Sequence, residues 1–469
     1  MTSAVSIATQ HPAPRPVESR VSAATSLSPF DAHARIRLSD DDSLLDFVSR
    51  NMMETAFGAL FEREIAEAAR LAGVTQLMTR NLRNDAAPII WASGNYFVDG
   101  RGRMFLDFSS QTQNLNFGHN HPYLLGAASR YLSSTQPCYT SSKFGNVASM
   151  RLISRLSELL PPELACINLK LLNGADAIET AIKSALKYHA KDLSRRKIVT
   201  LRWAHHGHSI ATMACSNKYT HLPYIDSGNH VYIDANDMTQ LRDTLRADAG
   251  IAAFIVEPLQ MNGGCVELTA EYLQEARRLC TEQDIALVFD EIQTAFGWLG
   301  TMFGFERVGV IPDILCLSKS LASGFPLAAA VMREQYDTLE FGEAEFTAGL
   351  NPLSAIVACA NIELLTTTNV MRTVGCSEKR LSTGLTRLKQ SFPKLIADVR
   401  GVGLMHGIET ISNQVARKVY EHAYERGVLL RIAKDAKGET VLIKPSLIVT
   451  TGQIDRLLEN LNHAFASIT

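Results

Sequence analysis

The stretch Ile285-Ala286-Leu287-Val288-Phe289-Asp290-Glu291 is a short apolar run that ends in two carboxylates. A second apolar run, Ile314-Leu315-Cys316-Leu317, ends in Ser318-Lys319-Ser320. Apolar runs of this length are typical of strands that are buried on both faces of a parallel sheet. Asp290 and Lys319 therefore follow two predicted core strands, at the edge where open α/β sheets bind ligands. Two interpretations remain open: a structural ion pair, or two members of a functional site.

The composition indicates a large soluble protein. The chain has 469 residues, of which 46% are hydrophobic and 20% charged, and its net charge is −2. This length fits a large α/β domain with a second lobe. The charge gives no indication of nucleic acid or an anionic membrane as a partner. Eight cysteines are scattered without metal-ligand spacing, and no apolar run approaches a membrane span. We expect a cytoplasmic protein without a disulfide framework.

The first 88 residues differ from the rest. Residues 1–40 are rich in Ala, Ser, Pro and Thr and lack periodicity, which predicts a poorly ordered arm. Between Ser43 and about Arg80, apolar residues recur at helical spacing and predict one or two amphipathic helices. These helices could pack on a small lobe, add a dimer contact or cover a cleft.

A candidate phosphate site follows the predicted strand Cys166–Leu172. Asn173-Gly174-Ala175 opens a helix there, and the backbone N–H groups of a helix N-terminus favour an anion. Two histidine groups, at 119–121 and 205–208, raise the possibility of a metal site. Because no third ligand lies close by, we expect no metal.

The segment Asp290 to Gly297, with Lys319 after it, resembles the signature of class-III (ω-) aminotransferases, which depend on pyridoxal 5'-phosphate (PLP). The resemblance implies the fold type I of PLP-dependent transferases. In this α/β fold a large domain holds a mostly parallel seven-stranded sheet, and the N- and C-terminal segments build a smaller α+β domain. It also implies that the PLP aldehyde forms a Schiff base with Lys319. Asp290 would pair with the pyridinium nitrogen, and Gln293 would face the ring hydroxyl.

Other cofactor contacts follow from the same resemblance. Asn173-Gly174-Ala175 corresponds to the phosphate-binding turn, and Glu257 belongs to a matching Glu-Pro turn. His205 stands where relatives have an aromatic residue that stacks on the pyridine ring. Thr347 would reach the phosphate of a neighbouring subunit, which implies a homodimer with shared active sites.

The substrate side departs further from the family pattern. Arg400 matches the arginine that binds a substrate carboxylate, for which a guanidinium is well suited. Asn262 replaces the glutamate that pairs with this arginine in many relatives, so either another group neutralises Arg400 or it awaits a carboxylate. Trp298 could narrow the cleft or serve only packing. The polar segment around Gln111 indicates a polar substrate.

The resemblance spans roughly residues 89–465 and divides the chain into predicted parts. These are the arm at 1–40, a helical extension at 41–88, the start of the small domain at 89–120, the large PLP-binding domain at 121–355, and the C-terminal small domain at 356–469. The predicted function is PLP-dependent transfer of an amino group to a keto or aldehyde acceptor.

Two alternatives accompany this prediction. One is a one-substrate PLP enzyme, a racemase, decarboxylase or aminomutase, which the loss of the glutamate at Asn262 makes more plausible. The other is a non-catalytic homologue that acts as a binding subunit. The substitutions at Asn173, His205, Asn262, Ala295 and Trp298 favour a role in specialised biosynthesis.

Overall fold

The computed structural model describes residues 56–82, 86–433 and 439–468. The predicted arm at residues 1–40 lies outside this part of the chain, as does the helical extension before Ala56. Most of the remaining extension is helical: an α-helix covers Ala56–Leu71 and a 3₁₀ helix covers Ala72–Leu77.

In the described residues, the strands are β1 (Ile89–Ser93), β2 (Tyr96–Asp99), β3 (Met104–Asp107), β4 (Cys166–Leu171), β5 (Lys197–Leu201), β6 (His230–Ile233), β7 (Ile251–Val256), β8 (Leu259–Gln260), β9 (Val266–Glu267), β10 (Ala286–Asp290), β11 (Ile314–Leu317), β12 (Ala328–Met332), β13 (Ile396–Val402), β14 (Met405–Thr410), β15 (Val428–Leu429), β16 (Arg431–Ile432) and β17 (Thr440–Ile443). The α-helices are α1 (Ala56–Leu71), α2 (Pro122–Leu132), α3 (Val147–Leu159), α4 (Gly174–Tyr188), α5 (Ile210–Ala214), α6 (Met238–Ala247), α7 (Ala270–Glu282), α8 (Phe305–Val308), α9 (Pro352–Thr367), α10 (Val370–Ser391), α11 (Asn413–Glu425) and α12 (Thr451–Ala466).

Seven strands form the central sheet in the order β4-β12-β11-β10-β7-β5-β6. Strand β12 runs antiparallel to both of its neighbours, and the other neighbouring strands are parallel. Every residue of β7, β10, β11 and β12 is buried. Strands that are buried on both faces need continuous apolar runs, which is the pattern in their sequences. The predicted mostly parallel seven-stranded sheet is confirmed.

Helix α4 covers one face of this sheet. Asn173 caps its N-terminus, and a row of small and branched residues, including Ala177, Ile178 and Ala181, is buried against β10 and β11 residues in one hydrophobic cluster. Small side chains let the helix lie close to the strands. The close packing fixes the start of α4 relative to the ends of the strands.

Besides the central sheet and the two-stranded β8-β9 sheet, the described residues form two four-stranded sheets. The sheet β1-β2-β3-β15 joins strands from both ends of the chain, and β13-β14-β17-β16 is antiparallel. This arrangement agrees with a small α+β domain made of N- and C-terminal segments. Helix α1 lies against the β2–β3 turn, where Ala68 is so close to Gly100 that a Cβ there would lie 2.7 Å from the Ala68 Cβ. Its described part therefore packs on the small sheet.

No single helix in the described residues is long and apolar enough to cross a membrane. Helices α9 and α10 are long and apolar enough only when they are taken together, and the chain bends by 72° between them.

Candidate active site

The carboxyl ends of β10 and β11 carry the two residues that the sequence singled out. The strands are parallel neighbours with Asp290 opposite Cys316, and Lys319 lies three residues beyond Cys316. Lys319 has a φ of 41°, a left-handed conformation that is uncommon for a residue with a side chain. A cavity of about 960 Å³ opens at this edge and is lined by residues of several loops, including Gln111, Asn173, Gly174, Ala175, His205, His206, Asp290, Gln293 and Lys319.

The Asp290 carboxylate is buried and held by two donors. Its Oδ2 lies 2.7 Å from Nδ1 of His206, and its Oδ1 accepts the Ile292 N–H at 3.1 Å. Burial alone would lower the pKa of His206, but the hydrogen bond and the charge of Asp290 outweigh it and raise that pKa. Among the described residues, Lys319 forms no ion pair with Asp290, so a structural Asp–Lys pair does not explain their positions.

The Lys319 amine is easier to deprotonate than an ordinary lysine. Burial lowers its pKa to about 8, an effect that Arg431 reinforces and that the Asp290 and Glu257 carboxylates partly offset. A neutral amine is nucleophilic, whereas an ammonium is not. Lys319 can therefore attack a carbonyl near neutral pH.

Glu257 forms the other acidic group of the site. Its Oε2 accepts the backbone N–H of His205 at 3.0 Å. Burial raises the pKa of Glu257 to about 8, with a further rise from Asp290 and a partial reduction from His206. The carboxyl thus fixes the turn that carries His205 and His206, and burial favours its protonated form.

The start of α4 lines the cavity and is capped by Asn173. Asn173 Oδ1 accepts the N–H groups of Ala175 at 2.9 Å and Asp176 at 3.3 Å. A Cβ on Gly174 would lie 2.6 Å from the Cδ1 of Ile292, so a larger residue there would require the Ile292 side chain to move. A Cβ on Gly207 would lie 2.8 Å from the Ala175 Cβ, which shows how closely the histidine turn approaches this helix end.

Gln111 lies in an unusual backbone segment. The four residues Ser110 to Gln113 all have positive φ, between 46° and 65°. The Gln111 Nε2 donates to Asp107 Oδ2 at 3.1 Å, and Gln113 donates to the Gln293 carbonyl at 3.4 Å. Left-handed turns of non-glycine residues are strained and persist only where their surroundings hold them. This strained turn brings Gln111 to the cavity.

The other three substrate candidates do not line this cavity. Trp298 is fully buried and donates its indole N–H to Ser320 Oγ at 2.8 Å. Asn262 lies on the β8–β9 turn, partly exposed. Arg400 lies in β13, and any substrate role for these three residues stays a prediction.

Arg400 has protein partners for its charge. Its guanidinium pairs with Glu409 on the neighbouring strand, lies 3.3 Å from Asp398 Oδ2, and donates to the Gly264 carbonyl at 2.9 Å. Burial alone would lower the pKa of Arg400, but the Glu409 carboxylate outweighs it and raises that pKa. The sequence left open whether Arg400 is neutralised by another group or awaits a carboxylate. In the structure Glu409 neutralises it.

Thr347 lies on an exposed loop. The Lys170 Nζ donates to the Thr347 carbonyl at 3.3 Å and to the Gly349 carbonyl at 3.1 Å. A Cβ on Gly349 would lie 2.2 Å from the Lys170 carbonyl carbon, so this loop packs directly on β4. The loop therefore presents Thr347 on the surface of the chain.

Three residues near the site were not predictable from the motifs. His206 belongs to a histidine cluster in the sequence, and in the structure it is the partner of Asp290. The other two are Lys444 and Arg431: Lys319 and Arg431 lower the pKa of Lys444, and Arg431 lowers the pKa of Lys319. A signal was available for Lys444, because it is a lysine that directly follows the apolar run Val441-Leu442-Ile443.

Comparison with known proteins identifies the family. The family model described as aminotransferase class-III matches residues 78–465. Acetylornithine aminotransferase of Thermosynechococcus vestitus is 31% identical over 381 residues, which cover 79% of this chain and 90% of that protein. Putrescine aminotransferase of Pectobacterium atrosepticum is 31% identical over 395 residues, covering 80% and 82%. The crystal structure of a transaminase from the marine bacterium Virgibacillus has 26% identity and a TM-score of 0.77, covering 83% of this chain and 94% of that one.

Proposed function

The chain belongs to the class-III aminotransferase family, and from this premise we propose its substrates and the roles of its residues. As a member of this family it is a PLP-dependent aminotransferase. We infer a donor amine that carries a carboxylate, a keto or aldehyde acceptor, and a role in specialised biosynthesis. The observation that carries the proposal is that Lys319, Asp290 and the start of α4 meet in one cavity.

The residues of the cavity fit PLP. Gly174 lies close to Ile292 at the start of α4, and the N-terminus of this helix suits a phosphate. The buried Asp290 carboxylate suits a protonated ring nitrogen, and the Lys319 amine suits an aldehyde. The Nε2 of His206 has no hydrogen-bond partner in the described residues. We assign these residues, with Asn173, Ala175, His205, Glu257 and Gln293, to the cofactor.

The reaction needs a proton to leave the carbon that bears the donor amine. When bound, PLP supplies an electron sink that stabilises the negative charge left on that carbon. Lys319 Nζ, with its pKa near 8, is matched to hold and return that proton near neutral pH. Asp290 would face the ring nitrogen of PLP, and its hydrogen bond with His206 holds it in orientation.

The donor carboxylate has a candidate site at Arg400. The guanidinium is already paired with Glu409, so an incoming carboxylate must compete with that side chain. Such competition would let one site accept a carboxylate and also tolerate its absence. Glu409 could thus serve the purpose that the missing glutamate at Asn262 serves in relatives.

Support for specialised biosynthesis comes from the cavity wall. Asn173 and His205, which depart from the family pattern, both line the cavity. The two relatives described above are named for acetylornithine and putrescine as their substrates. We propose a donor different from both, because these two side chains change the wall of the cavity relative to the family pattern.

A homodimer with shared sites completes the proposal. The exposed position of Thr347 and the fixed loop beneath it fit a side chain that reaches into a neighbouring subunit. Light scattering of the purified protein tests this, with a dimer expected. A monomer that keeps full activity would refute it.

A half-reaction tests the function. The PLP-loaded protein is mixed, without an acceptor, with a panel of amines that includes acetylornithine, putrescine and amines with and without a carboxylate. Loss of the bound-cofactor absorbance together with release of pyridoxamine 5'-phosphate identifies the donor. If a compound is inverted, decarboxylated or isomerised while the absorbance returns, a one-substrate reaction replaces the proposal. Efficient turnover of acetylornithine would contradict specialised biosynthesis.

A further inference from the structure

Lys444 is a buried lysine that the proposed reaction does not use. Its side chain is only 2% exposed, and it directly follows β17. In the described residues its ammonium has no hydrogen bond or ion pair. Buried lysines normally have a paired acid or a function, because desolvation of an unpaired charge is costly.

Arg431 lies in β16, the strand that pairs with β17. It is directly opposite Leu442 in the β16–β17 register, and Lys444 is two residues beyond Leu442, just after the end of β17. The charge of Arg431 lowers the pKa of Lys444, so the two cations lie within electrostatic range of each other. Arg431 likewise forms no ion pair with a described residue. Among the described residues, neither cation is paired with an acid.

The backbone of Lys444 is bonded to a segment that borders the cavity. Its N–H donates to the Phe108 carbonyl at 2.7 Å, and its carbonyl accepts the Ser110 hydroxyl at 2.8 Å. The next residue, Gln111, lines the cavity.

The charged groups around Lys444 leave it mostly uncompensated. Burial, then Lys319 and Arg431, holds its pKa well below the usual lysine range, while Cys265 and Asp107 act weakly in the opposite direction. Asp107 cannot serve as a close partner, because its oxygens already accept from His119, Ser109 and Gln111.

We propose that Arg431 and Lys444 form a second anion-binding site, which receives a carboxylate of the substrate next to Lys319. This deepens the proposed function and rests on it. The substrate class becomes an amino or keto compound whose carboxylate lies near the reacting carbon, in addition to any carboxylate at Arg400. A carboxylate has the planar geometry that a guanidinium and a neighbouring ammonium can bind together.

The test uses the PLP-loaded protein and glutarate, a dicarboxylate that lacks an amine and cannot react. Calorimetry in two buffers of different ionisation enthalpy gives the affinity and the protons taken up on binding. We expect glutarate to bind with proton uptake, because an anion restores the charge on a lysine whose pKa was lowered. Glutaramide, the uncharged analogue, and inorganic phosphate are measured in parallel.

The variants separate charge from structure. Lys444→Met and Arg431→Met should each weaken glutarate binding about 10- to 100-fold, the usual effect of losing one hydrogen bond to a charged group. Lys444→Arg should keep most of the affinity without the proton uptake. Lys197→Met, which removes a surface lysine paired with Asp248, is the control and should bind as the wild type does.

Three results would overturn the proposal. These are unchanged glutarate affinity in Lys444→Met, equal binding of glutaramide, and tighter binding of phosphate than of glutarate with the same dependence on Lys444. The half-reaction with amines is measured separately. Its failure with glutarate binding intact would refute the proposed function and leave the anion site standing.

Discussion

Glu257→Gln should stabilise the cofactor-free protein, and increasingly so as the pH rises. Glutamine keeps the size of the side chain and an oxygen that accepts the His205 N–H. It removes a carboxyl whose pKa burial raises from 4.5 to about 8. Below pH 4.5 this group is protonated in both states and has no effect. Between the two pKa values the native state binds more protons than the unfolded state, so stability falls as pH rises.

The size of the stability change follows from the pKa shift of Glu257. Each pKa unit corresponds to about 1.4 kcal/mol, so the wild type loses on the order of 3 kcal/mol by pH 7 and about 5 kcal/mol above pH 8. Glutamine does not ionise and avoids this loss. The assay is urea and thermal unfolding of both cofactor-free proteins at pH 5 and pH 8. The variant should be nearly as stable as the wild type at pH 5 and clearly more stable at pH 8.

Glu291→Gln provides the matched control. Burial raises the pKa of Glu291 to about 7, but its two oxygens accept the N–H groups of Gly304 and Phe305. An amide nitrogen would face one of these donors and cost roughly 1–3 kcal/mol, which nearly cancels the gain. If Glu257→Gln gains no stability between pH 5 and pH 8, or if Glu291→Gln gains as much, the electrostatic account of Glu257 is refuted.

Three further substitutions test the site. Trp298→Phe should lower the free energy of unfolding by roughly 1–3 kcal/mol, because it loses the buried hydrogen bond to Ser320. The ranking of amine donors by activity should not change. A changed ranking would show that Trp298 contacts the substrate. Gly207→Ala should weaken PLP binding at least about tenfold, because its Cβ would push the histidine turn away from α4, whereas Gly375→Ala, which has open space around it, should leave PLP binding unchanged. Glu409→Gln should lower KM for carboxylate donors roughly 2- to 10-fold by freeing Arg400 from a partly exposed ion pair, and an unchanged KM would argue against a carboxylate at Arg400.

The central sheet was predictable because strands that are buried on both faces appear in the sequence as continuous apolar runs. The runs that became β7, β10 and β11 contain no polar residue until the strand ends. The polar residue that ends β10 and the first polar residues after β11 line the cavity. Lys319 and Asp290 could therefore be placed together from sequence, since both follow such runs.

The partners of the site residues could not be predicted in the same way. Glu409 reaches Arg400 because Gly407 is opposite Arg400 in the β13–β14 register, and Glu409 is two residues farther along the same face. Register depends on how strands align in three dimensions, which the local sequence does not reveal. The indole of Trp298 likewise finds Ser320 only in the folded chain.

The most direct test is to identify the lysine that forms the covalent bond with PLP. Burial lowers the pKa of two lysines, Lys319 and Lys444, so low pKa alone does not distinguish them. The PLP-loaded protein is reduced with borohydride, digested and analysed by mass spectrometry to locate the covalently attached cofactor. We predict attachment at Lys319, with none in Lys319→Arg. Attachment at Lys444, or at no lysine, would contradict the account.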